Sequence, residues 1–428
     1  MSVTRGRVIP TPRATIAATV LATALLGISG ATPARADIVR DSEYWLSDYG
    51  FLSAWNITRG KGVKVAIIDT GVKGSVPDLA GTVVGGTDVS GIGSADGQTP
   101  VGEDSEHGTL VASLLAGNGT SATSGIMGVA PDAKILSVSV AFGQNTGAVL
   151  SPDDQIAKAV KWAVDSGAKV INMSLTRNTR DWPPSWDEAF LYAFQHDVVV
   201  VAAAGNRGGG TSEVGAPATI PGVLTVGGVT RTKKASVDAS SQGITIGISA
   251  PSEDLVGVNP NGAYVTWYGT SGATPIVSGL VALVRSKYPD LDAANVIERV
   301  TRTANPDGHV VPSALYGYGL IDPVAALTAQ VTPVDSHVLV DGLTSWIRLH
   351  RRADVTPSAA ATEKPPITPI PDPPLPPLTG AKTLLPTERT LTYVTVPLAL
   401  VAGFGTLTAL LGIGAVRHWK RLARRRER

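Results

Sequence analysis

Four polar residues in this chain have the types that acyl transfer by a serine requires. Asp69 ends the apolar run Val63-Lys64-Val65-Ala66-Ile67-Ile68 and is followed by Thr70-Gly71. His107 stands in Glu106-His107-Gly108-Thr109, at the start of an apolar-faced stretch. Asn206 closes Ala202-Ala203-Ala204-Gly205-Asn206, and Ser271 sits in Gly269-Thr270-Ser271-Gly272-Ala273-Thr274-Pro275. Each alone has an ordinary structural reading: a turn aspartate, a structural histidine, a turn asparagine, a helix N-cap. Together they supply a nucleophile, a base, a carboxylate to orient the base and an amide donor for an oxyanion. A serine at a helix start also gains free N–H groups and the positive end of the helix dipole. Gly108, just behind the histidine, would let that helix start approach other backbone closely.

Such residues need a frame that brings them together. Between about residues 37 and 332 the chain alternates short apolar runs with helical patterns. Strands are expected at 63–68, 133–140, 170–175, 198–203 and 223–229. Helices are expected at 107–115, 152–166, 274–288 and 291–303, with Pro275 near the start of the third. This alternation predicts an α/β fold with a doubly wound, mostly parallel sheet flanked by helices. In such sheets the site lies beyond the carboxyl ends of the strands, where all four polar residues fall.

The chain order Asp, His, Ser, and Ala at 273, do not fit the Gly-x-Ser-x-Gly elbow of α/β-hydrolases. Segments 65–72, 107–117, 202–206 and 269–283 resemble the four signature blocks of the subtilases. Gly128-Val129-Ala130-Pro131, Ile171-Asn172-Met173-Ser174-Leu175 and Tyr318-Gly319-Leu320-Ile321-Asp322 add to the likeness, which spans roughly residues 45–330. A positive, apolar N-terminal stretch over 1–36, this subtilase body, the prolines from 357 to 377 and the uncharged run 393–416 make the whole chain most similar, within that family, to the mycosins of type VII secretion systems. The resemblance implies Ser271 as nucleophile, His107 as general base and then acid, and Asp69 as its orienter. It implies an oxyanion hole from Asn206 and the Ser271 N–H, and pairing of extended substrate along Ser174 and Leu175. It also implies protein substrates, a type VII secretion membrane complex as partner, and no cofactor. A non-catalytic cap or scaffold of that complex is the alternative role. Structural calcium is common among subtilases, but the residues assign no metal ligands; Glu103-Asp104 reads as a solvated turn.

Four positions depart from the usual subtilase pattern. Gly272 and Thr274 follow the serine where a larger residue and Ala are usual, and an extra glycine is expected to loosen the helix start. Glu106 precedes His107 where Gly is usual, and its carboxylate is expected to raise the His107 pKa or repel acidic substrate. Ser252 stands in Ala250-Pro251-Ser252 where Gly is usual.

The ends of the chain carry topology signals. Arg5, Arg7 and Arg13, an apolar run from about Ala14 to Ile28, and Ala34-Arg35-Ala36 read as a signal peptide over 1–36. The peptidase body is expected over 37–335, with a short N-terminal extension. A Pro-rich linker follows over 336–392, with nine prolines between Pro357 and Pro377. It would be extended and stiff, suited to a spacer or to a docking strip. Residues 393–416 form a run of 24 uncharged residues. As a helix it would reach about 36 Å, sufficient to cross a bilayer. The basic tail 417–428 would then stay cytoplasmic and place the peptidase outside a single-pass cell-membrane anchor. A net charge of +1 gives no reason to expect nucleic acid. Cysteine is absent, which excludes disulfides and thiolate chemistry. Aromatics are scarce at 5%, so the substrate pocket is not expected to be built on large rings.

Overall fold

The computed structural model describes residues 38–143 and 146–351. The signal-peptide stretch 1–36, the prolines from 357 on, the apolar run 393–416 and the basic tail lie outside these residues. Among the described residues no helix is long and apolar enough to cross a membrane.

The frame is a seven-stranded sheet of β1 (Lys64–Asp69), β2 (Val83–Asp88), β3 (Lys134–Ser139), β4 (Val170–Met173), β5 (Val199–Ala203), β6 (Leu224–Val229) and β7 (Ile246–Pro251). Its strand order is β2-β3-β1-β4-β5-β6-β7, and every neighbouring pair is parallel. The inner strands are mostly apolar and almost wholly buried because helices cover both faces. β1 is buried at five of its six positions, and β5 at all five. A separate antiparallel hairpin joins β8 (Leu255–Val258) to β9 (Tyr264–Trp267).

From β1 the chain runs to the edge strand β2, returns through β3 beside β1, then crosses to β4 and builds outward to β7, so the strand order reverses between β1 and β4. That reversal opens a crevice beyond the carboxyl ends of these strands, where ligands bind in doubly wound sheets. Asp69 is the last residue of β1, Ser174 follows the last residue of β4, and Asn206 stands three residues beyond β5.

The helices at 107–116, 152–165 and 293–302 lie where the sequence pattern places them. The long helix Thr270–Lys287 starts four residues earlier than expected, which puts Ser271 in its first turn. It runs through the core against the sheet and against the helix His107–Ala116, and nearly every position from Thr270 to Arg285 is buried. A helix with partners all round has no polar face to write into its sequence.

Both ends of the folded body differ from the simplest reading of their sequence. The N-terminal extension is part of the core: Trp45, Phe51 and Ala54 are fully buried. The expected linker start at 336 is corrected by a helix over Val338–His350. Its apolar residues recur at helical spacing, and it buries Leu343 while stacking Trp346 on Trp182 at 4.1 Å between ring centroids. Arg351 then bonds Asp187 at 2.8 Å, so packed structure continues to residue 351.

Candidate active site

Asp69 is 1% exposed at the end of β1. The β1 turn holds it through its own next residue, since the Thr70 N–H donates to Oδ1 at 2.7 Å. The Thr70 hydroxyl meanwhile accepts the Gly108 N–H at 3.0 Å, tying the helix His107–Ala116 to the same turn. Gly108 makes the approach: a Cβ there would lie 2.4 Å from the Gly71 carbonyl oxygen. This clamp sets His107 Nδ1 at 2.9 and 3.0 Å from the two carboxylate oxygens of Asp69. A carboxylate only accepts, so Nδ1 carries the proton and Nε2 keeps its lone pair.

Two opposed influences act on the His107 pKa. Burial is the larger single one and pushes it down. The charge of Asp69, its hydrogen bond and the more distant Asp104 push it up, and their sum leaves it above the ordinary value. Glu106, expected to act here, does not contribute; its Oε2 accepts from Asn259 Nδ2 at 3.3 Å. Besides Asp69, the carboxylate that acts on His107 is Asp104, three residues before it, and not Glu106.

Ser271 shares one cleft with Asp69, His107, Ser174 and Leu175. Its hydroxyl donates to the Ser174 main-chain carbonyl at 3.1 Å, so in this rotamer the proton faces β4. Asn206 lies beside the same helix start. Its Oδ1 accepts from the Thr270 N–H at 2.8 Å and the Thr270 hydroxyl at 3.0 Å. Those two donors fix which end of the carboxamide is oxygen, leaving Nδ2 as a donor.

Packing gives the glycine after Ser271 a reason of its own. A Cβ at Gly272 would meet Leu255 Cδ1 at 2.3 Å and the Trp267 ring at 3.4 Å. Leu255 is fully buried, and Trp267 stands edge-on to His107 with ring centroids 5.8 Å apart. Glycine here makes room for two large neighbours, one of which shields the base. Thr274 also has a role, since its hydroxyl bonds back to the Thr270 carbonyl at 2.7 Å within the first turn.

The cleft runs from the three residues past Phe142, Ile156 and Trp186, with Glu103 and Asp104 on its rim. Two of those walls are large rings, so scarce aromatics did not mean an absence of aromatics from the pocket. Arg177 crosses to Asp153 at 2.6 Å and lies over Trp186. Thr70, Thr270 and Trp267 were not singled out in the sequence. Thr70 and Thr270 each adjoin a motif residue, and Trp267 is visible only through the hairpin that carries it.

A histidine held by a buried carboxylate, a serine in the same cleft and an amide donor beside it are the groups that a serine hydrolase uses. The comparisons narrow that class. Residues 60–319 match the family model described as Peptidase_S8, subtilase family, and the chain belongs to that family. Subtilisin DY of Bacillus licheniformis is 36% identical, over 63% of this chain and 92% of its own length. Mycosin-1 of Mycobacterium tuberculosis is 36% identical, over 68% of this chain and 74% of its own. A solved structure of the MycP3 protease from the type VII (ESX-3) secretion system is 35% identical with a TM-score of 0.57. That match covers 67% of this chain and 88% of the other. The chain is thus a subtilisin-type serine endopeptidase, similar to mycosins.

Proposed function

We propose that this chain is an exported, membrane-anchored endopeptidase that cleaves proteins through an acyl-enzyme on Ser271 and serves a type VII secretion system. The observation that carries the chemistry is the contact of His107 Nδ1 with both Asp69 oxygens in the cleft that holds Ser271. The Ser271 hydroxyl turns from the Ser174 carbonyl toward Nε2, which takes its proton. The serine oxygen adds to the substrate carbonyl. Asn206 Nδ2 and the Ser271 N–H stabilise the oxyanion, and the Asp69 carboxylate stabilises the imidazolium. Collapse expels the amine, which takes the proton back from His107. Water repeats the cycle to release the acid. Ser174 and Leu175 extend β4 into the cleft, where an extended substrate adds as a further strand.

Anchoring rests on the residues: the signal-peptide pattern, the apolar run 393–416 and the basic tail all predict one topology. The secretion role rests on the likeness to Mycosin-1 and to the MycP3 protease. A fluorophosphonate probe tests the chemistry. It should label the full-length chain and fail to label Ser271→Ala. Equal labelling of both, or none of either, overturns the mechanism. Complementing a deletion strain with Ser271→Ala tests the role: lost processing with restored secretion assigns the secretion role to the scaffold.

A further inference from the structure

Three buried side chains behind the cleft form a directed chain of hydrogen bonds that ends on the main chain of Ser271. The Ser278 hydroxyl donates to Asn172 Oδ1 at 2.8 Å, and Asn172 Nδ2 donates to Ser174 Oγ at 3.0 Å. The Ser174 hydroxyl donates in turn to the Ser271 carbonyl at 2.8 Å. Ser278 and Asn172 have no exposed surface, and Ser174 has 3%. The direction is set by the last acceptor. With the Asn172 carboxamide reversed, Ser174 would give its one proton to Asn172, and the Ser271 carbonyl would lose this donor.

That donor is needed because residue 275 is proline. A helix carbonyl normally accepts from the N–H four residues on, and Pro275 has none to offer Ser271. The Ser271 hydroxyl returns a bond to the Ser174 carbonyl at 3.1 Å, so the two serines are joined reciprocally. Substrate pairing along β4 uses the main chain of Ser174 and makes no demand on its hydroxyl.

We infer that Ser174 is a positioning residue for the nucleophile. Its hydroxyl supplies the donor that Pro275 withholds and pins the first turn of the helix Thr270–Lys287 to the end of β4. Asn172 and Ser278 fix the direction in which that hydroxyl points. The inference rests on Ser271 being the nucleophile. Loss of the pin lets the first turn shift against His107, and misplacement by about 1 Å costs on the order of 10²-fold in rate.

The test uses the full-length chain, a chromogenic peptide substrate and thermal unfolding. Ser174→Ala should lower kcat about 10²-fold, with KM within about twofold of wild type, because the main chain that pairs substrate is retained. Pro275→Ala returns an N–H to position 275. In that background Ser174→Ala should cost no more than about threefold, a coupling that a general packing defect would not produce. A kcat within about threefold of wild type for Ser174→Ala, or the same large loss in both backgrounds, overturns the inference. Should Ser174→Ala fail to fold, Ser278→Ala reads the far end of the chain. A several-fold lower kcat at constant KM supports the inference, and an unchanged kcat overturns it. Turnover retained by Ser271→Ala would instead remove the nucleophile assignment beneath it.

Discussion

Replacing Asp69 by Asn changes one atom and inverts the hydrogen-bonding sense of the base. Asp69 is 1% exposed, and its Oδ1 already accepts the Thr70 N–H at 2.7 Å. The amide oxygen of Asn must keep that position, 2.9 Å from His107 Nδ1, while its NH₂ replaces Oδ2, 3.0 Å from the same nitrogen. A protonated Nδ1 would face this donor beside an uncharged oxygen that the Thr70 N–H already occupies, whereas an unprotonated Nδ1 accepts from the NH₂. The imidazole therefore moves its proton to Nε2, the atom that should take the proton of Ser271. A wrong-tautomer histidine of this kind lowers kcat by about 10⁴-fold. The pH profile gives a second, independent reading. The carboxylate and its hydrogen bond raise the His107 pKa, while burial lowers it. Removing the former leaves the latter, so the acid limb of kcat/KM for the residual activity should move to lower pH. The assay is steady-state hydrolysis of a peptide substrate from pH 4 to 9. A loss below tenfold with an unmoved acid limb would refute the reasoning.

Four further outcomes follow from the same geometry. Asn206→Ala should lower kcat about 10²–10³-fold with little change in KM, as expected when one oxyanion donor is removed. Gly272→Ala should destabilise the fold by about 1–3 kcal/mol, read by chemical unfolding, because its methyl group would collide with Leu255. If that glycine were only a weak helix former, the same change would stabilise by about 1 kcal/mol, so the sign decides. Leu343→Ala should cost about 2–5 kcal/mol, because this fully buried side chain fixes the last helix; a change under 0.5 kcal/mol would detach that helix from the body. The His107 pKa is raised in the fold, so its contribution to stability is present below the unfolded value of about 6.5 and fades as pH rises through the folded one. The stability difference between wild type and His107→Ala should therefore be larger at pH 5 than at pH 9 in denaturant titrations.

The inner sheet was legible because its strands are covered on both faces and read as mostly apolar runs. The strands β2 and β7 were not. β2 carries Gly85 and Gly86, and the edge strand β7 mixes Gly247 and Ser249 with its apolar residues. The helix Pro184–Gln195 is preceded by Pro183 and begins on a proline, and such punctuation reads as loop. The last helix was hidden by the prolines that follow it, although Leu339, Leu343 and Trp346 already mark one face.

In the site, sequence order and flanking residues named the four chemical groups, and the fold places Asp69, His107 and Ser271 in one cleft with Asn206 beside it. What no local pattern encodes is which neighbours act on them. Asp104, not Glu106, bears on His107, because the helix start turns Glu106 toward Asn259. Trp267 reaches the histidine from 160 positions away along the chain. Pro275 looked like a helix-start signal, yet it lies in the sixth position of its helix, opposite a carbonyl that Ser174, just after β4, satisfies. Most of these facts depend on residues distant in sequence, Asn259, Trp267 and Ser174 among them.

The central claim is a covalent intermediate on Ser271. Mixing the full-length chain with a slowly deacylating ester substrate and quenching in acid should trap it. Mass spectrometry of the digest should then place one acyl group on the peptide containing Ser271, with a product burst equal to the enzyme concentration. Ser271→Ala should give neither. An acyl group on any other residue, or a full burst from Ser271→Ala, would contradict the account.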